Sequence, residues 1–136
     1  MKRFVKNYIQ WMGVKSRVNN KGIIRSFKEG EVWWAAVGEN IGVEIDGKNE
    51  KYSRPIIILK KHSNLFFTAV PLTSQAHKGT WYTQFIFHNK EETAVLVQTK
   101  PMDVTRLYER MGKLSKSDYN KILNSYLRLF QNKNVP

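Results

Sequence analysis

Two short segments of the 136-residue chain hold side chains suited to handling a phosphate. In Tyr52-Ser53-Arg54-Pro55 an arginine stands at the mouth of an apolar run, residues 56–59, and proline fixes the backbone beside it. A guanidinium presented in this way offers a permanent positive charge and paired donors. In Pro71-Leu72-Thr73-Ser74-Gln75 a second apolar run ends in hydroxyl and amide groups, which can make several hydrogen bonds to one phosphate. Taken singly, each has a plainer reading: an arginine paired with a carboxylate at a strand terminus, and a threonine and serine in a turn.

Other chemistries find less support. There is no cysteine, so no disulfide framework, thiolate metal site or cysteine nucleophile can form. His62, His77 and His88 lack metal-ligand spacing and have no carboxylate set beside them. The glycines form neither a phosphate-binding loop nor a dinucleotide fingerprint, and no nucleophile elbow is present. Glu44, Asp46 and Glu50 cluster in one loop among lysines, which reads as a solvated segment before a cation site. The expectation is therefore no cofactor and no metal.

Both phosphate-handling segments sit at the ends of predicted strands. Residues 31–37 form an aromatic and apolar run bounded by Gly30 and Gly38. Runs 56–59 and 65–72 flank His62-Ser63-Asn64, which suits a hairpin turn. Residues 82–87 alternate, with Phe85 and Phe87 on one face and Gln84 and Ile86 on the other; residues 94–98 give a fifth strand. Five short, closely spaced strands imply a compact barrel or strongly curved sheet, not a parallel α/β layer. Ser115-Lys-Ser-Asp118 has capping-box spacing, and Tyr119, Ile122, Leu123, Tyr126 and Phe130 follow at helical period for about four turns. Near the start, Phe4, Tyr8, Ile9, Trp11 and Met12 outline an amphipathic helix that Gly13 would stop, with a turn at residues 19–22. That helix either packs on the body of the domain or forms an arm that grips RNA or a membrane surface.

The formal net charge is +12. Residues 1–28 carry eight basic side chains and no acid; residues 29–99 carry seven basic and eight acidic; residues 100–136 carry eight basic and three acidic. The middle is nearly neutral and both ends are basic, an uneven distribution that points to a polyanionic partner. No apolar stretch approaches the roughly 20 residues of a membrane-spanning helix, and Lys6, Asn7 and Gln10 interrupt any signal-like core. The expectation is a soluble, unprocessed, cytoplasmic protein without a membrane partner.

The ordered series Gly30-Glu31-Val32-Trp33-Trp34, Gly42-Val43-Glu44 with Gly47, Arg54-Pro55-Ile56-Ile57-Ile58 and Val70-Pro71-Leu72-Thr73-Ser74-Gln75 resembles the MazF/PemK family of toxin ribonucleases. Val95-Leu96-Val97-Gln98, Asp103 and Arg106-Leu107 continue the match, which covers about residues 29–130. The resemblance implies a mainly β (α+β) fold, an SH3-like, strongly bent β-barrel with a C-terminal helix, over residues 29–136. Residues 1–28 then form a basic helical extension. It further implies a homodimer, metal-independent endoribonuclease activity on single-stranded RNA, an acidic antitoxin partner, and DNA binding together with that antitoxin.

Carried over residue by residue, the family's catalytic arginine falls on Arg54 and its catalytic threonine on Thr73. Ser53, Ser74, Gln75, His77 and Gln98 are the accompanying RNA-binding candidates. Trp33, Trp34 and Trp81 are either anchor points for the antitoxin or core. This sequence departs from the family in three respects. The segment between Gly42 and Arg54 is lengthened by residues 46–51, in a loop that in the family lies over the RNA site. Val43 and Val97 stand where some relatives have a histidine and an acid, which brings His77 into consideration for proton transfer. Two other function classes remain open: a non-cleaving nucleic-acid-binding barrel, and a gyrase-directed toxin of the same fold.

Overall fold

The structure is a computed structural model that describes residues 6–131. Helix α1 (Tyr8–Lys21) leads into β1 (Glu31–Ala36), β2 (Ser53–Lys61), β3 (Phe66–Thr73), β4 (Tyr82–Phe87), β5 (Lys90–Val95), β6 (Lys100–Asp103), β7 (Leu107–Lys113) and helix α2 (Lys116–Arg128). The strands form one antiparallel sheet in the order β4-β5-β3-β2-β1-β7, and β6 also pairs with β3. The expected mainly β, bent-barrel architecture is present, as a sheet that curls without closing.

The bend has a local cause. Along one edge of β3, Ala69 pairs with Lys100 and Leu72 pairs with Ala94. Three residues of β3 therefore face six of the opposing chain. The surplus is taken up around a 3-10 turn, Leu96–Gln98, with Leu96 fully buried. The predicted strand over 94–98 is thus corrected: pairing ends at Val95, and the chain turns a corner before resuming as β6. Strands β6 and β7 were not anticipated. Strand β6 has four residues, and β7 is a polar edge strand whose Glu109 and Arg110 are the kind of charges that keep an edge from aggregating.

The central strands are buried on both faces, which is why residues 56–59 read as an unbroken apolar run and not an alternation. Ile56 and Ile58 enter one core with Phe27, Trp33, Ala35, Phe67, Met102 and Leu107. Ile57 and Leu59 enter the other with Val70, Leu72, Phe85, Leu96 and Ile122. Each fully buried isoleucine contributes roughly 1.5–3 kcal/mol. Ile122 brings in α2, whose N-cap is Ser115, accepting from the Asp118 N–H at 3.1 Å as the sequence implied. Tyr119, Leu123, Tyr126 and Leu129 pack around it, whereas Phe130 falls beyond the helix and is exposed, its ring meeting that of Tyr126 edge-on.

Helix α1 departs further from expectation. It runs through Gly13 to Lys21, so residues 19–21 are helical and not a turn. Its buried stripe is Trp11, Val14 and, partly, Val18, while Ile9 and Met12 are exposed. Phe4 lies outside the described residues. The helix packs on the body of the domain: Trp11 meets Tyr52 with ring centroids 5.6 Å apart. Gly38, at φ +94°, lies directly beneath the Trp11 indole, where a Cβ would come within 2.3 Å. Only glycine satisfies both that backbone angle and that approach.

Candidate active site

Strands β2 and β3 bring the two phosphate-handling segments together. Ile56 pairs with Pro71 and Ile57 with Val70. Arg54 and Thr73 lie two residues beyond the Ile56–Pro71 pair, at the same end of the two strands. The contact is direct: an Nη of Arg54 donates to the Leu72 carbonyl at 3.1 Å. Its Nε donates to the Asp46 carbonyl at 2.7 Å. These bonds fix the half-buried guanidinium and use two of its five N–H donors, leaving three for a ligand. Burial pushes its pKa below the usual arginine value, while the nearby Asp46 carboxylate acts in the opposite sense. It remains a cation, since an arginine is not deprotonated in proteins.

The Thr73 hydroxyl oxygen accepts from the Gln75 backbone N–H at 3.2 Å. This is the turn contact that the plainer reading anticipated, and it orients the hydroxyl while leaving its proton free to donate. Arg54 and Thr73 line a groove of about 420 Å³ with Ser53, Ser74, Trp34 and Pro55. Ser53 is nearly buried, its hydroxyl 3.4 Å from the Asn49 amide.

The β4–β5 hairpin forms the far wall. His88 and Asn89 both have positive φ, 51° and 63°, at its two-residue turn, the backbone that such tight hairpins need. Positive φ is uncommon outside glycine, and histidine and asparagine are among the residues that adopt it most readily. His88 stacks on Phe87 with centroids 4.0 Å apart. It also reaches so close to β7 that a Cβ on Gly112, at φ +153°, would lie 3.0 Å from its Nε2. On β5, Lys90, Glu92 and Ala94 pair with Phe87, Phe85 and Thr83, so Glu92 shares the face of the two phenylalanines and lines the groove. Burial pushes the Glu92 carboxyl above its ordinary value, and the Lys90 charge opposes that rise. Lys48 completes the cationic lining. His88 and Glu92 were not singled out from the sequence: they are 34 and 38 residues from Arg54, and only the hairpin register signals their return.

The remaining candidates lie elsewhere. Gln75 is exposed and touches the site through its backbone. His77 stacks on Tyr82, centroids 4.6 Å apart, in a depression beside α2 lined by Lys78, Gln84 and Lys121; it does not join Arg54 and Thr73. Gln98 accepts from the Ile45 N–H and donates to the Val43 carbonyl, so it fastens the β1–β2 loop. Val43 and Val97 are exposed. Trp33 is core, Trp34 lines the groove, and Trp81 is exposed. The loop acids do not converge: Glu44 accepts from the Ile41 N–H, and Asp46 pairs with Lys6. Among the described residues no three His, Cys, Asp or Glu side chains are grouped to hold a metal ion. Nor is any helix among them long and apolar enough to cross a membrane.

A bent, open antiparallel sheet with a C-terminal helix, and an arginine and threonine set across two central strands, defines the class. Residues 28–130 match the family model described as PemK-like, MazF-like toxin of type II toxin-antitoxin system. The chain belongs to that family. Direct sequence comparison with curated proteins gives no significant match. Among solved structures, the fold is similar to MazF (Form-I) from Deinococcus radiodurans, with TM-score 0.64 and 15% identity, covering 77% of this chain and 96% of that one. A mycobacterial endoribonuclease in complex with its cognate antitoxin gives TM-score 0.55 and 13% identity, covering 82% and 98%. The Mycobacterium tuberculosis toxin MazF-mt6 gives 0.53 and 16%, covering 71% and 91%. At these identities the likeness is one of fold.

Proposed function

We propose that the protein is the toxin of a type II toxin-antitoxin system and acts as a metal-independent, sequence-specific endoribonuclease on single-stranded RNA, mRNA included. The observation that carries this reading is the placement of Arg54 and Thr73 across adjacent strands at one groove, within a chain of the MazF-like family. Cleavage by the RNA 2′-hydroxyl needs a stabiliser for the phosphorane and a route for two protons. Arg54 stabilises the developing charge with preorganised donors in a partly dry site. Thr73 donates to a phosphate oxygen and holds the phosphodiester in line. Glu92 is the group in the groove suited to take the 2′-hydroxyl proton, because its carboxyl titrates above the ordinary range. His88 stands on the same wall and suits proton delivery to the leaving 5′-oxygen. The products are a 2′,3′-cyclic phosphate and a 5′-hydroxyl.

The partners follow from the charge. Basic ends draw RNA to a nearly neutral barrel. They equally suit an acidic antitoxin segment that folds on binding, and the antitoxin-bound mycobacterial relative supports such a partner. A homodimer in the cytoplasm is part of the same reading.

The test is incubation of purified protein with mixed RNA in excess EDTA, followed by mapping of the new ends, alongside Arg54→Ala and Thr73→Ala. Cutting without metal, lost in both variants, is expected. RNA bound but left intact by the wild type would remove the nuclease reading, and metal-dependent cutting would remove the mechanism.

A further inference from the structure

We propose that the segment before the family-matched region is a positioning element for Arg54, with Lys6 as its key residue. The inference rests on the nuclease reading only for its consequence in catalysis; the contact itself stands apart from it.

Asp46 connects the two residues. The Lys6 ammonium, on a side chain only 9% exposed, pairs with an Asp46 carboxylate oxygen at 3.0 Å. It also donates to the Asn40 carbonyl, and to the Gly42 carbonyl at 3.0 Å. Asp46 in turn accepts from the Asn40 backbone N–H at 2.6 Å, which closes the loop upon itself. The backbone carbonyl of the same Asp46 receives the Arg54 Nε at 2.7 Å. One residue therefore binds Lys6 with its side chain and Arg54 with its main chain.

Neighbouring contacts hold the same loop against α1. Tyr8 donates through its hydroxyl to the Asn40 carbonyl at 2.9 Å, and the Tyr52 hydroxyl donates to the Gln10 side chain at 2.8 Å. Trp11 covers Gly38. The loop from 38 to 52 is thereby fastened at its start, middle and end by residues 6–11, all of which precede the matched range 28–130. A largely buried ammonium held by oxygens of three residues is costly to leave unpaired. Removing it frees a carboxylate and two carbonyls at once, so the loop can open and the Arg54 Nε loses its fixed acceptor. Lys6 touches no reacting atom in this account. It acts through Asp46 on the orientation of the guanidinium, where a displacement of about 1 Å can cost roughly a hundredfold in rate.

The experiment compares full-length wild type, Lys6→Met, Lys6→Arg and Asp46→Asn. Hydrogen exchange of the Arg54 side-chain Nε–H is followed by NMR, assigned by its loss in Arg54→Lys. Exchange should accelerate at least tenfold in Lys6→Met and in Asp46→Asn, which keeps the carbonyl but removes the anion, and should return toward wild type in Lys6→Arg. On RNA that the wild type cuts, kcat should fall about tenfold in Lys6→Met with KM within about twofold. Exchange in folded Lys6→Met or Asp46→Asn within twofold of wild type overturns the proposal, as does a kcat that Lys6→Met leaves unchanged. If the wild type cuts no RNA, the nuclease reading fails, while the exchange measurement still decides whether the clamp exists.

Discussion

Replacing Trp11 with alanine should destabilise the whole protein and not merely release its first helix. The indole is 6% exposed and sits between Tyr52, Gly38 and the partly buried Val18 and Tyr108. Truncating a buried tryptophan to alanine costs about 3–5 kcal/mol, because lost burial adds to the cavity left behind. Unfolding entropy of about 2.1 cal/mol/K per residue gives roughly 0.29 kcal/mol/K for 136 residues, so the melting temperature should fall by about 10–17 °C. The same loss lowers the urea midpoint by about 2 M at a slope near 2 kcal/mol/M. The assay is parallel thermal and urea unfolding, read by far-UV circular dichroism for helix and by fluorescence of the remaining tryptophans. Both signals should move together in one transition. A minor early loss of helix, with the main midpoint shifted by under about 3 °C, would mean that α1 is an appended arm, and the packing argument would be wrong.

Three further outcomes are expected. Glu31 is nearly buried and accepts from the Lys28 backbone N–H at 2.8 Å, the Trp33 indole at 3.1 Å and Arg110 at 2.8 Å. Burial alone would raise its carboxyl, but the bonds to Arg110, Lys28 and Trp33 and the Arg110 charge together hold it below the ordinary value. A depressed carboxyl stabilises the fold above its unfolded pKa, near 4.3, and loses that effect as pH falls through the folded value. Glu31→Gln should therefore cost roughly 1.5–3 kcal/mol at pH 7 and progressively less toward pH 3; a difference in urea midpoint that does not vary with pH contradicts this. Glu92→Gln should lower the cleavage rate by about 10²–10⁴ and abolish a rise in rate with pH whose midpoint lies above the ordinary carboxyl range; a rate within threefold of wild type removes Glu92 as proton acceptor. Replacing exposed Lys15 and Arg17 by glutamine should reduce the slope of log affinity against log salt for single-stranded RNA by about 1.4, and an unchanged slope would place RNA away from α1.

What could be read from the sequence followed from how each element meets solvent. Strand β4 has one buried and one exposed face, so Phe85 and Phe87 alternate visibly with Gln84 and Ile86. The hairpin between β2 and β3 was legible because apolar runs flank polar turn residues. Strands β6 and β7 carry no such signal: one is four residues long, and the other is a polar edge stabilised by pairing with β1. In α1 the exposed Ile9 and Met12 outweigh the true stripe, so the helix was located but its buried face misassigned. At the site, Arg54 and Thr73 stood out because one opens a strand and the other closes one, each next to a turn. Glu92 and His88 did not, since a two-residue turn of unusual backbone sets their orientation. Asp46 was read as a solvated loop acid because its partner Lys6 lies 40 residues away, a pairing that spacing cannot reveal.

The pairing of β1 with β7 also has a consequence in time. Glu31 meets Lys113 and Trp34 meets Glu109, so the first strand of the sheet waits for almost the whole chain before its outer edge is covered. Closing a connection this long is entropically unfavourable, and pairings between distant strands are slow to form. The groove needs the same late arrival, because Met111 on β7 forms part of its wall and Gly112 makes room for His88. An interrupted translation product that ends before β7 contains Arg54, Thr73 and Glu92 yet lacks the Met111 wall of their groove. The fold thus delays completion of the groove until synthesis of the chain is nearly complete.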